Sequence, residues 1–113
     1  EESKADTLFD KIIRKEVAAE ILFEDDKHIA FKDANPQAPI HFLVVSKTNQ
    51  TGIQDSKSGN TIGNLMVKAR DLAVEQKCEE GFRIVLNKGV HAGQSVDKLF
   101  VHVLGGKQLS WPC

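Results

Sequence analysis

The chain has 113 residues, 41% hydrophobic and 27% charged, with a formal net charge of −1 and a mean hydropathy of −0.28. That length supports one modest core, and the near-neutral charge argues against a nucleic-acid or anionic-membrane surface. No apolar run approaches the ~20 residues of a membrane span, and Cys78 and Cys113 form no CxxC pair, which favours free thiols in a reducing compartment over a disulfide scaffold.

The opening Glu1-Glu2-Ser3-Lys4 is too polar for a signal peptide. It carries no Met, which leaves room for a targeting segment ahead of it. We expect a disordered tail over residues 1–6 and a single domain over 7–113. Asp6 can cap a short helix whose stripe is Leu8, Phe9, Ile12 and Ile13. Two short β-like runs follow, Ile21-Leu22-Phe23 and Ile29-Ala30-Phe31. Glu24-Asp25-Asp26-Lys27 between them reads as a hairpin turn, with His28 exposed beside it. Pro36 and Pro39 make 35–39 a loop. His41-Phe42-Leu43-Val44-Val45 reads as a buried strand, and Lys47 to Gly59 as polar and irregular.

Ile62, Leu65, Met66, Ala69, Leu72 and Ala73 lie on one face of a helix, as core or dimer contact, and Gly81 suits its end. Phe82-Arg83-Ile84-Val85-Leu86 is a fourth strand, and a loop of small and polar residues leads from Asn87 to Ser95. The last strand begins near Val96 and runs through Leu104. The order α-β-β-β-α-β-β, with short links, predicts an α+β fold: an antiparallel sheet with its helices on one face.

In that last strand Lys98, Phe100 and His102 alternate onto one face. Imidazoles at all three positions would make a nucleophile with a relay behind it. Here one imidazole remains, at the last position. Taken alone, His102 on an apolar strand reads as a core histidine, Phe100 as core filling, and Asn87-Lys88-Gly89 as a turn. His91 reads as a solvated loop residue and His41 as structural. Four His and two Cys show none of the usual zinc-ligand spacings, so we expect no metal and no cofactor.

Several segments, in order, change the weight of these readings. They are Ile12-Ile13-Arg14-Lys15-Glu16, Phe23-Glu24-Asp25-Asp26, Ala30-Phe31-Lys32-Asp33, Pro36-Gln37-Ala38-Pro39, His41-Phe42-Leu43-Val44, Gly93-Gln94-Ser95-Val96, His102-Val103-Leu104-Gly105-Gly106 and Leu109-Ser110-Trp111-Pro112. The set resembles the histidine triad (HIT) superfamily, and within it the Hint branch of nucleotide-binding phosphoramidases. The resemblance implies a HIT-like fold: a five-stranded antiparallel sheet with two helices, extended across a homodimer. It implies a purine nucleoside monophosphate pocket with Phe9, Ile12, Val17, Phe31 and His41 around the base. Asp33 would accept from the ribose hydroxyls, and Asn87, Gly93, Ser95 and His102 would hold the phosphate. Trp111 would reach the partner subunit's site. An acceptor-only carboxylate suits a vicinal diol, and backbone N–H groups around Gly93 suit an anion.

The chain departs from that family at its chemical centre. Family enzymes carry three alternating histidines, of which the middle one attacks phosphorus. The corresponding positions here are Lys98, Phe100 and His102, preceded by Asp97. Phe100 has no lone pair, so it cannot attack. Loss of a nucleophile costs on the order of a million-fold in turnover. Loss of one charge-assisted hydrogen bond weakens phosphate binding only ~10- to 100-fold. Lys98 either restores positive field or snorkels toward Asp97. We therefore expect a Hint-like binder of a purine nucleoside or its monophosphate with phosphoramidase activity lost or strongly reduced. It would act as a binding or regulatory protein in the cytoplasm or nucleus, and pair with an intact paralogue. The alternatives are an active hydrolase using His91 or a shifted His102, and an interaction module with a collapsed pocket.

Overall fold

The run Ile40–Ser46 alternates two apolar faces, and it sits in the middle of the molecule as strand β3. The computed structural model describes residues 8–47, 59–94, 96 and 98–110. Along the chain come α1 (Leu8–Ile13), β1 (Ile21–Glu24), β2 (His28–Lys32), β3, α2 (Gly59–Glu75), β4 (Phe82–Val85), a 3-10 turn (Val90–Ala92) and β5 (Phe100–Gly105). The strands form one antiparallel sheet in the order β1-β2-β3-β5-β4. The α+β class and the element order are as expected. The Asp6 cap, residues 1–6, most of the 47–59 stretch, Ser95, Asp97 and Trp111 lie outside the described residues. Among the described residues no helix is long and apolar enough to cross a membrane.

The two helices cover opposite faces of the sheet, which corrects the expectation of one face. Leu65, Ala69, Leu72 and Ala73 of α2 pack on Ala30, Phe42, Val44, Val101 and Val103. Phe9 and Ile12 of α1 pack on Phe31, Leu43, Val45 and Phe100. The reason is alternation: β3 and β5 are apolar on both sides, so each side needs a cover. Met66, expected in the helix stripe, is exposed.

Three more expectations change. His28 is buried, because the pairing starts one residue before the apolar run and sets it opposite Ser46, on the α2 side. The turn itself is closed by Asp25, whose Oδ1 accepts the backbone N–H of Lys27 (2.8 Å) and of His28 (2.7 Å). The helix end predicted from Gly81 comes earlier. Lys77, with φ 68°, ends α2 where its N–H reaches the Val74 carbonyl and the Cys78 N–H the Ala73 carbonyl. Lys15, with φ 65°, ends α1 by the same pair of bonds, to Ile12 and Lys11. Finally, β5 begins at Phe100, so Lys98 stands ahead of the strand rather than in it.

Candidate functional site

The site grows from the α1 face of the sheet. Pairing sets Leu43 opposite His102, and Val45 opposite Phe100. Phe9 drops onto this floor and meets Phe100 edge-on at 4.8 Å and Phe31 at 5.4 Å between ring centroids. Beside these rings opens a cavity of about 540 Å³. That size falls in the roughly 300–1,000 Å³ range of small-molecule sites. Phe9, Ile12, Val17, Phe31, Asp33, Asn87, Gly93 and His102, all expected at the site, line it. Glu20, Lys32, Leu43 and Val96 line it too, and the sequence reading did not single them out for the site. The strand alternation that selects Phe31 also selects Leu43. Nothing in the local pattern marks Glu20, which arrives with the link between α1 and β1. His91 does not line the cavity.

His41, expected around the base, stands behind His102 instead. Its Nδ1 accepts the backbone N–H of Gln37 at 2.9 Å. A neutral imidazole that accepts at Nδ1 carries its proton on Nε2. That Nε2 faces His102 Nδ1 at 3.0 Å and Asp33 Oδ2 at 3.3 Å. Two N–H groups cannot face each other at 3.0 Å, so His102 Nδ1 accepts and its proton is on Nε2. The result is a directed chain: Gln37 N–H to His41, His41 Nε2–H to His102, and His102 Nε2–H left as a donor. Burial holds the pKa of His41 below the ordinary imidazole value, against the pull of Asp33. Burial and the neighbouring His41 do the same to His102, again against Asp33. Both rings are therefore neutral near pH 7. Asp33 Oδ1 accepts the Asn35 N–H at 2.8 Å, and a carboxylate's further lone pairs remain for a diol.

Asp33, His41 and His102 gather ligand atoms within 4.8 Å of one another. Sequence spacing gave no hint of this cluster, because three separate elements supply it. It is a poor cation site as it stands. To ligate through Nε2, His41 would have to carry its proton on Nδ1, against the Gln37 N–H. The donor set fits a hydrogen-bond relay and not a metal.

Lys98 does not line the cavity, and the alternative of a reach toward Asp97 falls on a residue outside the described ones. It is buried, and its Nζ lies 2.9 Å from Asp10 Oδ1 of α1. Phe100 is also buried, 5.4 Å from the His102 ring. Of the expected anion cradle, Ser95 lies outside the described residues. Gly93 adopts φ 80°, as glycine permits, but the N–H groups of Ala92, Gly93 and Gln94 bond back to the carbonyls of Gly89, Val90 and Gly89.

The HIT domain family matches residues 14–109. Adenylylsulfatase HINT1 of Arabidopsis thaliana is 41% identical over 114 residues, which cover 97% of this chain and 78% of that protein. A Zea mays protein called a 14 kDa zinc-binding protein is 41% identical over 110 residues, 94% of this chain and 86% of its own. The HIT family hydrolase of Legionella pneumophila Philadelphia 1 superposes with a TM-score of 0.89 at 36% identity, covering 95% of this chain and 98% of that one.

Proposed function

Because this chain belongs to the HIT domain family, we propose that it is a Hint-like purine nucleoside or nucleoside monophosphate binder whose phosphoramidase chemistry is lost or nearly so. The observation that carries the proposal is Phe100. A hydrocarbon ring, packed edge-on against Phe9, occupies the position from which family enzymes attack phosphorus. His102 survives at the end of a relay that fixes its tautomer, beside a cavity with an apolar side and a carboxylate. The apolar side suits a purine, Asp33 suits ribose hydroxyls, and His102 offers a single N–H. Asn87, Gly93 and Ser95 are assigned to the 5′ end by the same family pattern.

The protein then works by binding, as a regulatory partner or beside an intact paralogue. A homodimer is part of the proposal. Strand β4 is an edge of the sheet, and Met66, Val67 and Val74 of α2 are exposed. Trp111 would then serve the partner's site. We place the protein in the cytoplasm or nucleus. An active hydrolase using His91 finds no support in the cavity wall.

The test is turnover of an adenosine phosphoramidate by the purified chain. We expect none above a level about a million-fold below that of an intact family member. Turnover near the family level, unchanged in Phe100→Leu, would overturn the proposal. Leu keeps the site filled, whereas Phe100→Ala would cost about 3–5 kcal/mol in the core and confuse the assay.

A further inference from the structure

We propose that this site takes an uncharged purine nucleoside in preference to its 5′-monophosphate, because among the described residues Lys32, Lys98 and the N–H groups of Ala92, Gly93 and Gln94 are committed to other partners. The inference rests on the purine-site reading above and narrows its ligand.

Three observations converge on it. The first concerns cations. Lys98, the charge nearest in sequence to the lost histidines, is sealed against Asp10 at 2.9 Å and does not line the cavity. Lys32 does line it, but its Nζ lies 3.0 Å from Glu20, another lining residue. Asp33 adds a second carboxylate to the wall. Among the described lining residues the formal sum is therefore one positive charge against two negative.

The second concerns backbone donors. The loop at Gly89–Gln94 would be the place for an anion, yet the N–H groups of Ala92, Gly93 and Gln94 already meet carbonyls within the loop, and the Gly89 N–H meets the Gln94 side chain at 2.8 Å. A phosphate held by those N–H groups would have to open the loop.

The third concerns side chains. Phe100 replaces a donor with a hydrocarbon face. His102 is left with one N–H and no positive charge, since a second proton on its ring would face His41 Nε2–H at 3.0 Å. A phosphate monoester carries about −1.5 to −2 charge at neutral pH and loses strong hydration on entry. A nucleoside 5′-hydroxyl asks far less. It accepts the one His102 N–H and donates to solvent, with no charge to desolvate. The described wall, whose neutral side-chain donors are the Asn87 amide and the one His102 N–H, matches that inventory more closely than the other.

Isothermal calorimetry with adenosine and adenosine 5′-monophosphate, at pH 7.5 and low salt, separates the possibilities. We expect adenosine to bind at least about tenfold more tightly than the monophosphate. Raising the salt should narrow that gap, because screening relieves repulsion from Glu20 and Asp33. Glu20→Gln leaves Lys32 without its carboxylate. It should improve monophosphate affinity relative to adenosine about threefold, the modest size reflecting exposed partners. If the monophosphate binds as tightly as adenosine or tighter, the preference is wrong while the purine site stands. If Glu20→Gln leaves the ratio of the two unchanged, the electrostatic account is wrong. If neither adenosine nor guanosine in any 5′ form gives saturable heat, the purine site itself falls.

Discussion

Lys98 and Asp10 bind the approach to β5 to helix α1 across 88 positions of sequence. Both side chains are largely out of water, Asp10 at 16% exposure. Removing one member of such a pair strands the other charge, which costs more than the pair contributes. We expect Lys98→Met to lower unfolding free energy by about 2–3 kcal/mol, and the double variant Lys98→Met with Asp10→Leu to recover most of it. Denaturant midpoints decide this, and a cost below ~0.5 kcal/mol for the single change would remove the pair's structural role. The same pairing bears on any attempt to rebuild the triad. Lys98→His would deprive Asp10 of its ammonium, so Asp10 must change with it. No sequence pattern announced the pair, because 88 positions separate its members. The relay is a second feature of this scale. We expect long-range nitrogen–proton correlation spectra to show both His41 and His102 protonated at Nε2 and bare at Nδ1. Either ring appearing as the Nδ1–H form would break the directed chain.

At the scale of elements, the strands were legible and the helix ends were not. Ile40–Ser46 and Phe100–Gly105 announce themselves by apolar runs too short for helices, whereas the insertion of β5 between β3 and β4 does not follow from chain order. The error about α1 had a simple cause. A one-sided helix stripe tells which face is buried, but not which side of a two-faced sheet receives it. Both helix ends escaped because lysine holds the left-handed position where glycine is the usual signal. That position costs a side-chain residue roughly 1–2 kcal/mol, partly offset because glycine leaves the unfolded chain more freedom. Lys77→Gly should therefore stabilise the protein by about 0.5–1 kcal/mol, raising Tm by a few degrees in calorimetry. An unchanged or lowered Tm would mean that Lys77 makes compensating contacts. Gly105 makes the opposite case: a Cβ there would lie 2.8 Å from Cys78 Sγ and 3.3 Å from the Gly81 carbonyl. The fold needs that residue bare.

Over the whole molecule, the histidines set the response to acid. His28, His41 and His102 all have folded pKa values below the ordinary 6.5, with burial as the leading cause. The unfolded chain thus binds more protons than the native one once pH falls below about 6.5. Their stabilising contribution is complete above that value and declines as pH drops through it. Glu24, held low by bonds to Lys15 and Lys47, adds a second loss below its ordinary 4.5. Tm should hold from pH 7.5 to about 6.5, then fall to pH 5, and fall less in His28→Leu. A flat profile over that window would contradict the burial of these rings. The His28 part of this was not legible in sequence, where the residue looked like a turn neighbour. Only the register opposite Ser46 puts it under α2, with Nδ1 3.6 Å from Asp25 and unsatisfied.

Strand β5 follows β4 in the chain and yet lies between β3 and β4. On a ribosome, therefore, the first four strands emerge without the piece that joins them. β4 has no neighbour at all until residues 100–105 clear the exit tunnel, and β3 waits with one side open. Translation that stops short of Phe100 would release a product with β4 unpaired and one edge of β3 open, suited to clumping and to degradation rather than to partial work.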